Sequence, residues 1–408
     1  MLYICSKLYN SMEKLYQKFF EKIARIQVQS VRDFIYKIDW SNRMIGIKGS
    51  RGVGKTTIIL QHIKTSYEIN NKVLYVSLDD LYFTENKVYD LASSFCKQGG
   101  VLLAIDEVHK YATWAIELKN IYDDFPDLKI IFTGSSLLHL VQAKADLSRR
   151  AVVYSMHGLS FREFVSFETN LTIPALTLQQ LMENHVDIAM KILATVKPLA
   201  WFKSYLNYGY YPYYMENVDS FHQKLSETLL TVLEVDIPQF AGIQTSNIIY
   251  LKKLLKIISV SVPFQPNMNV LSSRTGISLN TMKNYLYYLN EAQVLFALYT
   301  QEFGVNSLGK PEKIYLDNTN LMFNQGEDNV NAGNVRETFF VNQLKNVYEI
   351  KTSKHADFII ENKYTFEIGS IKKSKKQIAN IENAFIVKDD IEVGYSNIIP
   401  LWLFGFLY

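Results

Sequence analysis

The run Gly49, Ser50, Arg51, Gly52, Val53, Gly54, Lys55, Thr56 sets glycines, one lysine and one hydroxyl at a spacing suited to gripping a polyphosphate. Glycine tolerates backbone angles that other residues resist, so this loop can turn successive N–H groups inward around an anion. Lys55 adds a mobile positive charge for the outer phosphates, and the Thr56 hydroxyl is the kind of hard oxygen that Mg²⁺ takes as a ligand. Thr57 and the apolar residues after it open a helix whose N-terminal end favours the same negative charge. Further along, the apolar stretch Val101–Ile105 ends in two carboxylates, Asp106 and Glu107. Asp106 can hold the Mg²⁺ water shell, and Glu107 can polarise an attacking water. The loop and the acidic pair together predict a site for ATP and Mg²⁺.

These groups meet only if the chain brings them to one edge. Short apolar runs at Met44–Ile47, Val73–Val76, Val101–Ile105, Lys129–Phe132 and Ala151–Tyr154 are separated by stretches long enough for a helix each. Continuous rather than alternating apolar strands suit a parallel sheet covered on both faces, so residues 41–165 are predicted to form a doubly wound α/β domain of the P-loop kind. In such a sheet the strand ends face the ligand crevice. The fourth strand then delivers Thr133 and Ser135 there, either to sense the γ-phosphate or, for Ser135, to cap the next helix. Arg149 and Arg150 precede the fifth strand. They read as exposed structural arginines or as a finger reaching a neighbouring subunit's nucleotide.

Residues 1–40 are expected to form leading helices, with Leu15, Phe19, Ile23 and Ile26 at helical spacing. Residues 166–260 read as a helical domain, 261–300 as a compact helix-turn-helix unit and 301–408 as a mixed α/β tail. The chain has 408 residues, 43 of them basic and 40 acidic, with 48% apolar, so a whole-molecule polycation and global disorder are both excluded. Any DNA contact must use a local patch. Cys5 and Cys96 stand far apart, which fits a reducing compartment. No secretory leader or long apolar span is visible, so the expectation is a cytoplasmic protein without membrane contact.

With these residues in view, the chain resembles a family of prokaryotic AAA+ ATPases that carry a C-terminal domain called DUF4143. The resemblance rests on GSRGVGKTT (49–57), LDD (78–80), LLAIDEVHK (102–110), IFTGSSLLHL (131–140) and LSRR…GLSFREF (147–164). Downstream it rests on LNYGYYPYY (206–214), KIYLDNTNL (313–321) and GNVRETFFVNQL (333–344). It implies an AAA+ type sheet, a helical region, a winged helix and a tail like restriction-endonuclease folds.

Two of those implied units have chemistry to weigh. Gly276 marks a bend and Ser278 a cap, after which Asn280, Lys283, Asn284 and Tyr287 can face DNA while Met282, Leu286 and Leu289 face inward. Only Lys283 and Arg274 are basic there, so a structural unit is the competing reading. In the tail, a nuclease of the restriction type needs carboxylates around Mg²⁺ and a lysine near the attacking water. Glu337, Asp357 and Glu367 fill the acidic places, but Gly369 stands where the lysine is expected, with Lys372 or Lys373 nearby. Catalysis lost and the fold kept for packing is the alternative. The Tyr208–Tyr214 cluster reads as packing rather than base stacking.

The reading is an Mg²⁺-dependent ATPase acting as a nucleotide-driven switch, with Glu107 as base, Lys55 absorbing charge and Arg149 or Arg150 acting across a subunit boundary. The alternative is an ATP-regulated DNA nuclease or DNA-binding protein. Expected partners are adenine nucleotide, further copies of the chain, DNA and a protein of unknown identity.

Overall fold

The computed structural model describes residues 2–134, 147, 149–299, 311–326, 330–373 and 378–408, with side chains from residue 12 onward. The chain divides into two compact units, Met1–His157 and Gly158–Tyr408.

The first unit opens with α1 (Leu2–Arg25) and the short α2 (Phe34–Lys37). Its sheet holds β1 (Met44–Lys48), β2 (Val73–Ser77), β3 (Leu102–Asp106), β4 (Lys129–Gly134) and β5 (Val152–Ser155), all parallel, in the order β2-β3-β4-β1-β5. Helices α3 (Lys55–Ser66), α4 (Val88–Lys97) and α5 (Trp114–Asp124) lie on the crossovers, as parallel pairing requires. Residues 44–47, 73–76, 102–106 and 130–134 are buried throughout, which is why these strands read as unbroken apolar runs. The β5 strand departs from that expectation. It lies at the sheet edge, and Val152 and Val153 are each 41% exposed. The strand order matters for chemistry: β4 lies between β1, which leads into the glycine loop, and β3, which ends in the acidic pair.

The second unit is mainly helical up to Glu291. Two helices begin with reciprocal capping boxes, Ser160 with Glu163 and Thr177 with Gln180. Tyr205–Gly209 is a π-helical turn. Helices Ile248–Ser261, Met268–Thr275 and Leu279–Glu291 follow, then β6 (Leu295–Leu298) and β7 (Lys313–Leu316) as an antiparallel pair. That pair joins residues on either side of the division expected at 300. Gly276 ends its helix at φ +78°, where glycine is at ease, and Ser278 Oγ accepts from Thr281 N at 3.2 Å. Ser278→Ala should therefore cost about 1 kcal/mol, read as a lower midpoint in chemical denaturation.

The tail forms a mixed sheet in the order β12-β11-β10-β9-β8, from β8 (Ile350–Thr352), β9 (Phe358–Ile360), β10 (Tyr364–Gly369), β11 (Ala384–Lys388) and β12 (Ile398–Pro400). The helix Ala332–Leu344 covers it, with Phe340 packed on Phe358, Phe366 and Phe404. Among the described residues no helix is long and apolar enough to cross a membrane.

Candidate functional site

The glycine loop has the backbone its composition demands. Gly52 and Gly54 hold φ of 80° and 97°, in the left-handed region. Gly49 is required for a different reason: a Cβ there would lie 2.1 Å from the Met156 carbonyl oxygen. Behind the loop, Arg32 is buried and its Nη1 donates to the carbonyls of Val53 (3.1 Å) and His157 (2.6 Å). No charge spacing marks this arginine as a brace for the loop.

Lys55 opens α3 and is buried, its Nζ donating to the loop carbonyls of Gly49 (3.0 Å) and Ser50 (2.8 Å). Thr56, half-buried, donates from Oγ1 to Asp106 Oδ2 at 2.6 Å. Asp106 gathers more hydroxyls. Tyr75 OH, one strand away on β2, donates to the same Oδ2 at 2.7 Å, and Thr133 Oγ1 donates to Oδ1. Thr133 is fully buried and also accepts from Glu107 N at 3.1 Å. Thus Thr133 binds both members of the acidic pair. Ser135 lies outside the described residues.

Glu107 turns the chain off β3 with φ 56° and ψ 39°, a left-handed conformation that costs a glutamate about 1–2 kcal/mol. Its carboxyl is pushed above the ordinary glutamate range, first by burial, with Lys55 opposing and Asp106 adding to the rise. His109, also buried, brings Nε2 to 3.3 Å from Glu107 Oε2. Burial, then Asp106, pushes the Tyr75 phenol far above its usual value, so it remains a donor at neutral pH. Tyr75 has no recognisable motif. Its place one strand over and one pleat back from the acidic pair emerges only from the β2–β3 register, Ser77 opposite Asp106.

Residues 41–165 match the family described as an AAA domain. The phosphate loop, Thr56, Asp106, Glu107 and Thr133 therefore lie inside an AAA-type P-loop domain. Residues 199–324 match a domain of unknown function, DUF8612, which is a different domain from the DUF4143 that the sequence resemblance implied. The uncharacterized protein MJ1637 of Methanocaldococcus jannaschii is 27% identical over 401 residues, covering 89% of this chain and 84% of that protein. Among solved structures, the Walker-type ATPase PABY2304 of Pyrococcus abyssi aligns with a TM-score of 0.39 at 12% identity, over 70% of this chain and 91% of that one. AMPPCP-bound DnaA from Aquifex aeolicus aligns at 0.24 and 14%, over 67% and 86%. Both likenesses are loose.

Within the AAA-type domain the two arginines differ. Arg150 makes a bidentate pair with Asp123, Nε to Oδ1 and Nη2 to Oδ2 each at 2.8 Å, and this holds the Asp123 carboxyl below its usual range. Arg149 is exposed. Gly49, Ser50, Arg51, Gly52, Val53, Gly54 and Thr57 fall on the loop and the start of α3, as the sequence spacing places them.

The downstream motifs gather into a buried polar lattice in the second unit. Asn320, fully buried, donates to the carbonyls of Tyr205 (3.0 Å) and Leu206 (2.9 Å) in the π-helical turn and accepts from Tyr210 N at 2.8 Å. Gln343 Nε2 donates to Tyr205 OH at 2.8 Å. Asn342 Nδ2 donates to Asp317 O at 2.8 Å. Tyr208 and Tyr214 pack with Phe164 and with each other, and Phe221 packs on Tyr208, in keeping with a packing role for the tyrosines.

Each tail carboxylate has its own partner. Glu337 pairs with Lys313 at 2.5 Å, Asp357 Oδ2 accepts from Ile368 N at 2.7 Å, and Glu367 pairs with Lys373. A Cβ on Gly369 would meet the Lys373 side chain at 2.6 Å, so Lys373 does reach back over the strand end. Among the described residues no group of three or more His, Cys, Asp or Glu side chains is arranged to hold a metal ion. Burial first, and then the negative charges of Asp357 and Glu337, push the Glu367 carboxyl above its usual range, while Lys373 opposes the rise, so the three carboxylates lie near one another. On Leu279–Glu291, Asn280, Lys283, Asn284 and Tyr287 are exposed, with Met282, Leu286 and Leu289 buried.

Removing the Tyr75 phenol should loosen the hold on Asp106 without touching the loop. Tyr75→Phe is expected to weaken Mg²⁺-dependent ATP binding about 10-fold. Its Mg²⁺-free affinity should stay at the parental value, and titration with and without Mg²⁺ separates the two.

Proposed function

We propose that this protein is an Mg²⁺-dependent ATPase whose nucleotide state switches the conformation of the chain. One observation carries the reading: Thr56 Oγ1 lies 2.6 Å from Asp106 Oδ2, joining residues 50 positions apart, so the phosphate loop and the acidic strand end form one site. Their oxygens, a hydroxyl and a carboxylate, are the hard donors that Mg²⁺ selects, so the pair fits that ion. When bound, Mg²⁺ would neutralise charge on the outer phosphates.

The chain's own groups supply the rest. Backbone N–H groups from Gly52 to Thr56 cradle the phosphates, and Lys55 leaves the carbonyls of Gly49 and Ser50 to meet them. Glu107 orients a water for in-line attack on the γ-phosphorus and accepts its proton as the bond to the bridging oxygen breaks. Thr133 fixes the acidic pair relative to the loop. Arg149, the exposed member of its pair, is the candidate to reach a neighbour's nucleotide in an assembly. Residues 261–300, with the helices Met268–Thr275 and Leu279–Glu291, are the winged-helix unit of this reading. The tail serves as an ion-paired packing element, since its carboxylates already neutralise Lys313 and Lys373.

Phosphate release by the purified chain tests the proposal. ATP with Mg²⁺ should give steady turnover that EDTA abolishes, and limited proteolysis should give different patterns with an ATP analogue and with ADP. Tight binding without any phosphate release would make the protein a nucleotide-set binding module instead.

A further inference from the structure

We propose that His109 is a positioning residue for Glu107, a role that rests on the ATPase reading of the same site. The backbone of Glu107 is pinned on both sides: its N–H donates to Thr133 Oγ1 at 3.1 Å, and its carbonyl accepts from Lys110 N at 2.9 Å. What remains free to turn is the side chain, with three rotatable bonds and a carboxylate at the end. A base that must meet one water needs that end fixed as well, because a displacement of about 1 Å can cost roughly 100-fold in rate.

The local turn provides the fixing group. Glu107 leaves β3 in the left-handed conformation, and Val108–Lys110 then coil into a 3₁₀ turn. This turn folds His109 back on Glu107, where its Nε2 stands 3.3 Å from Oε2. The His109 side chain is only 1% exposed and that of Glu107 is 21% exposed. The imidazole is therefore held by packing, while the carboxylate keeps a route to water. Taking Oε2 against His109 leaves Oε1 as the oxygen to meet the attacking water. The buried ring acts on the reaction only through Glu107, as an outer-shell partner does when it orients a reacting group.

The test uses the full chain and three variants: His109→Phe, which keeps a buried ring but has no donor; His109→Gln, which restores an N–H donor; and Glu107→Gln as the reference background. His109→Phe should lower kcat about 10-fold or more, with nucleotide Kd within about 2-fold of the parent. His109→Gln should recover most of that loss. In the Glu107→Gln background, His109→Phe should leave the residual turnover unchanged, because the group it positions is already disabled. Three results overturn the proposal while the parent still turns over: an unchanged or raised kcat in His109→Phe, equal loss in both backgrounds, or loss of kcat and affinity together. A parent that binds ATP without hydrolysing it removes the ATPase reading first, and the role of His109 with it.

Discussion

Lys55→Ala is expected to abolish ATP binding at concentrations that saturate the parent. Lys55 is buried at the first position of α3, and in this state its ammonium rests on the carbonyls of Gly49 and Ser50. No other lysine or arginine of the loop occupies such a place: Arg51 is only half-buried and sits at the loop's turn. Alanine leaves the triphosphate with main-chain N–H groups alone. Losing one partner of a buried charge pair costs about 2–5 kcal/mol, which corresponds to roughly 30- to several-thousand-fold in Kd. The loop should survive, since Gly52 and Gly54 set its backbone and Arg32 braces the Val53 carbonyl from behind. Titration calorimetry measures the loss and circular dichroism confirms the fold. Parental affinity in Lys55→Ala would show that the triphosphate does not sit in this loop.

The loop was legible because its function is written in consecutive residues. A turn that needs φ of 80° and 97° admits few residues but glycine, so Gly52 and Gly54 announce themselves. The buried strands of the first unit were legible for a related reason, as sheets covered on both faces demand unbroken apolar runs. Groups that reach the site through register were not legible. Tyr75 meets Asp106 because β2 pairs with β3, and Arg32 meets Val53 from the non-helical stretch between α1 and α2, where helical spacing predicts helix. The contact of His109 with Glu107 is not legible either, because it depends on a left-handed turn that the letters Asp-Glu-Val-His do not encode.

In the second unit the quoted motifs were visible, but their purpose was not. Asn320 satisfies the carbonyls of a π-helical turn, Asn342 satisfies Asp317 O and Gln343 donates to Asn342, so these motif residues serve a buried hydrogen-bond lattice. The three-residue strands β8 and β12 are too short to show alternation, and only their neighbours β9 and β11 define them. The Glu337, Asp357 and Glu367 set was found by pattern. Its ion pairs to Lys313 and Lys373 depend on residues that the pattern leaves out or places elsewhere.

Glu107→Gln should separate binding from turnover. Glutamine keeps the shape of the side chain and the N–H bond to Thr133, so the left-handed turn and the hold on Asp106 persist. Affinity for ATP should stay level or rise, since a carboxylate beside a triphosphate repels it and an amide does not. Turnover should fall about 100- to 10,000-fold, the range that a positioned general base supplies. Burial already holds the Glu107 carboxyl above the usual range, which makes it a stronger base than an exposed glutamate. The same rise means that the carboxyl keeps its proton to a higher pH than an exposed one. Parental turnover should therefore decline on the acid side sooner than an ordinary glutamate would dictate. Single-turnover phosphate release, set beside equilibrium binding of the same samples, reads both effects at once. A variant that binds ATP and hydrolyses it at the parental rate would move the base to another residue, and the water would then be aligned by the phosphates and the loop rather than by the strand end.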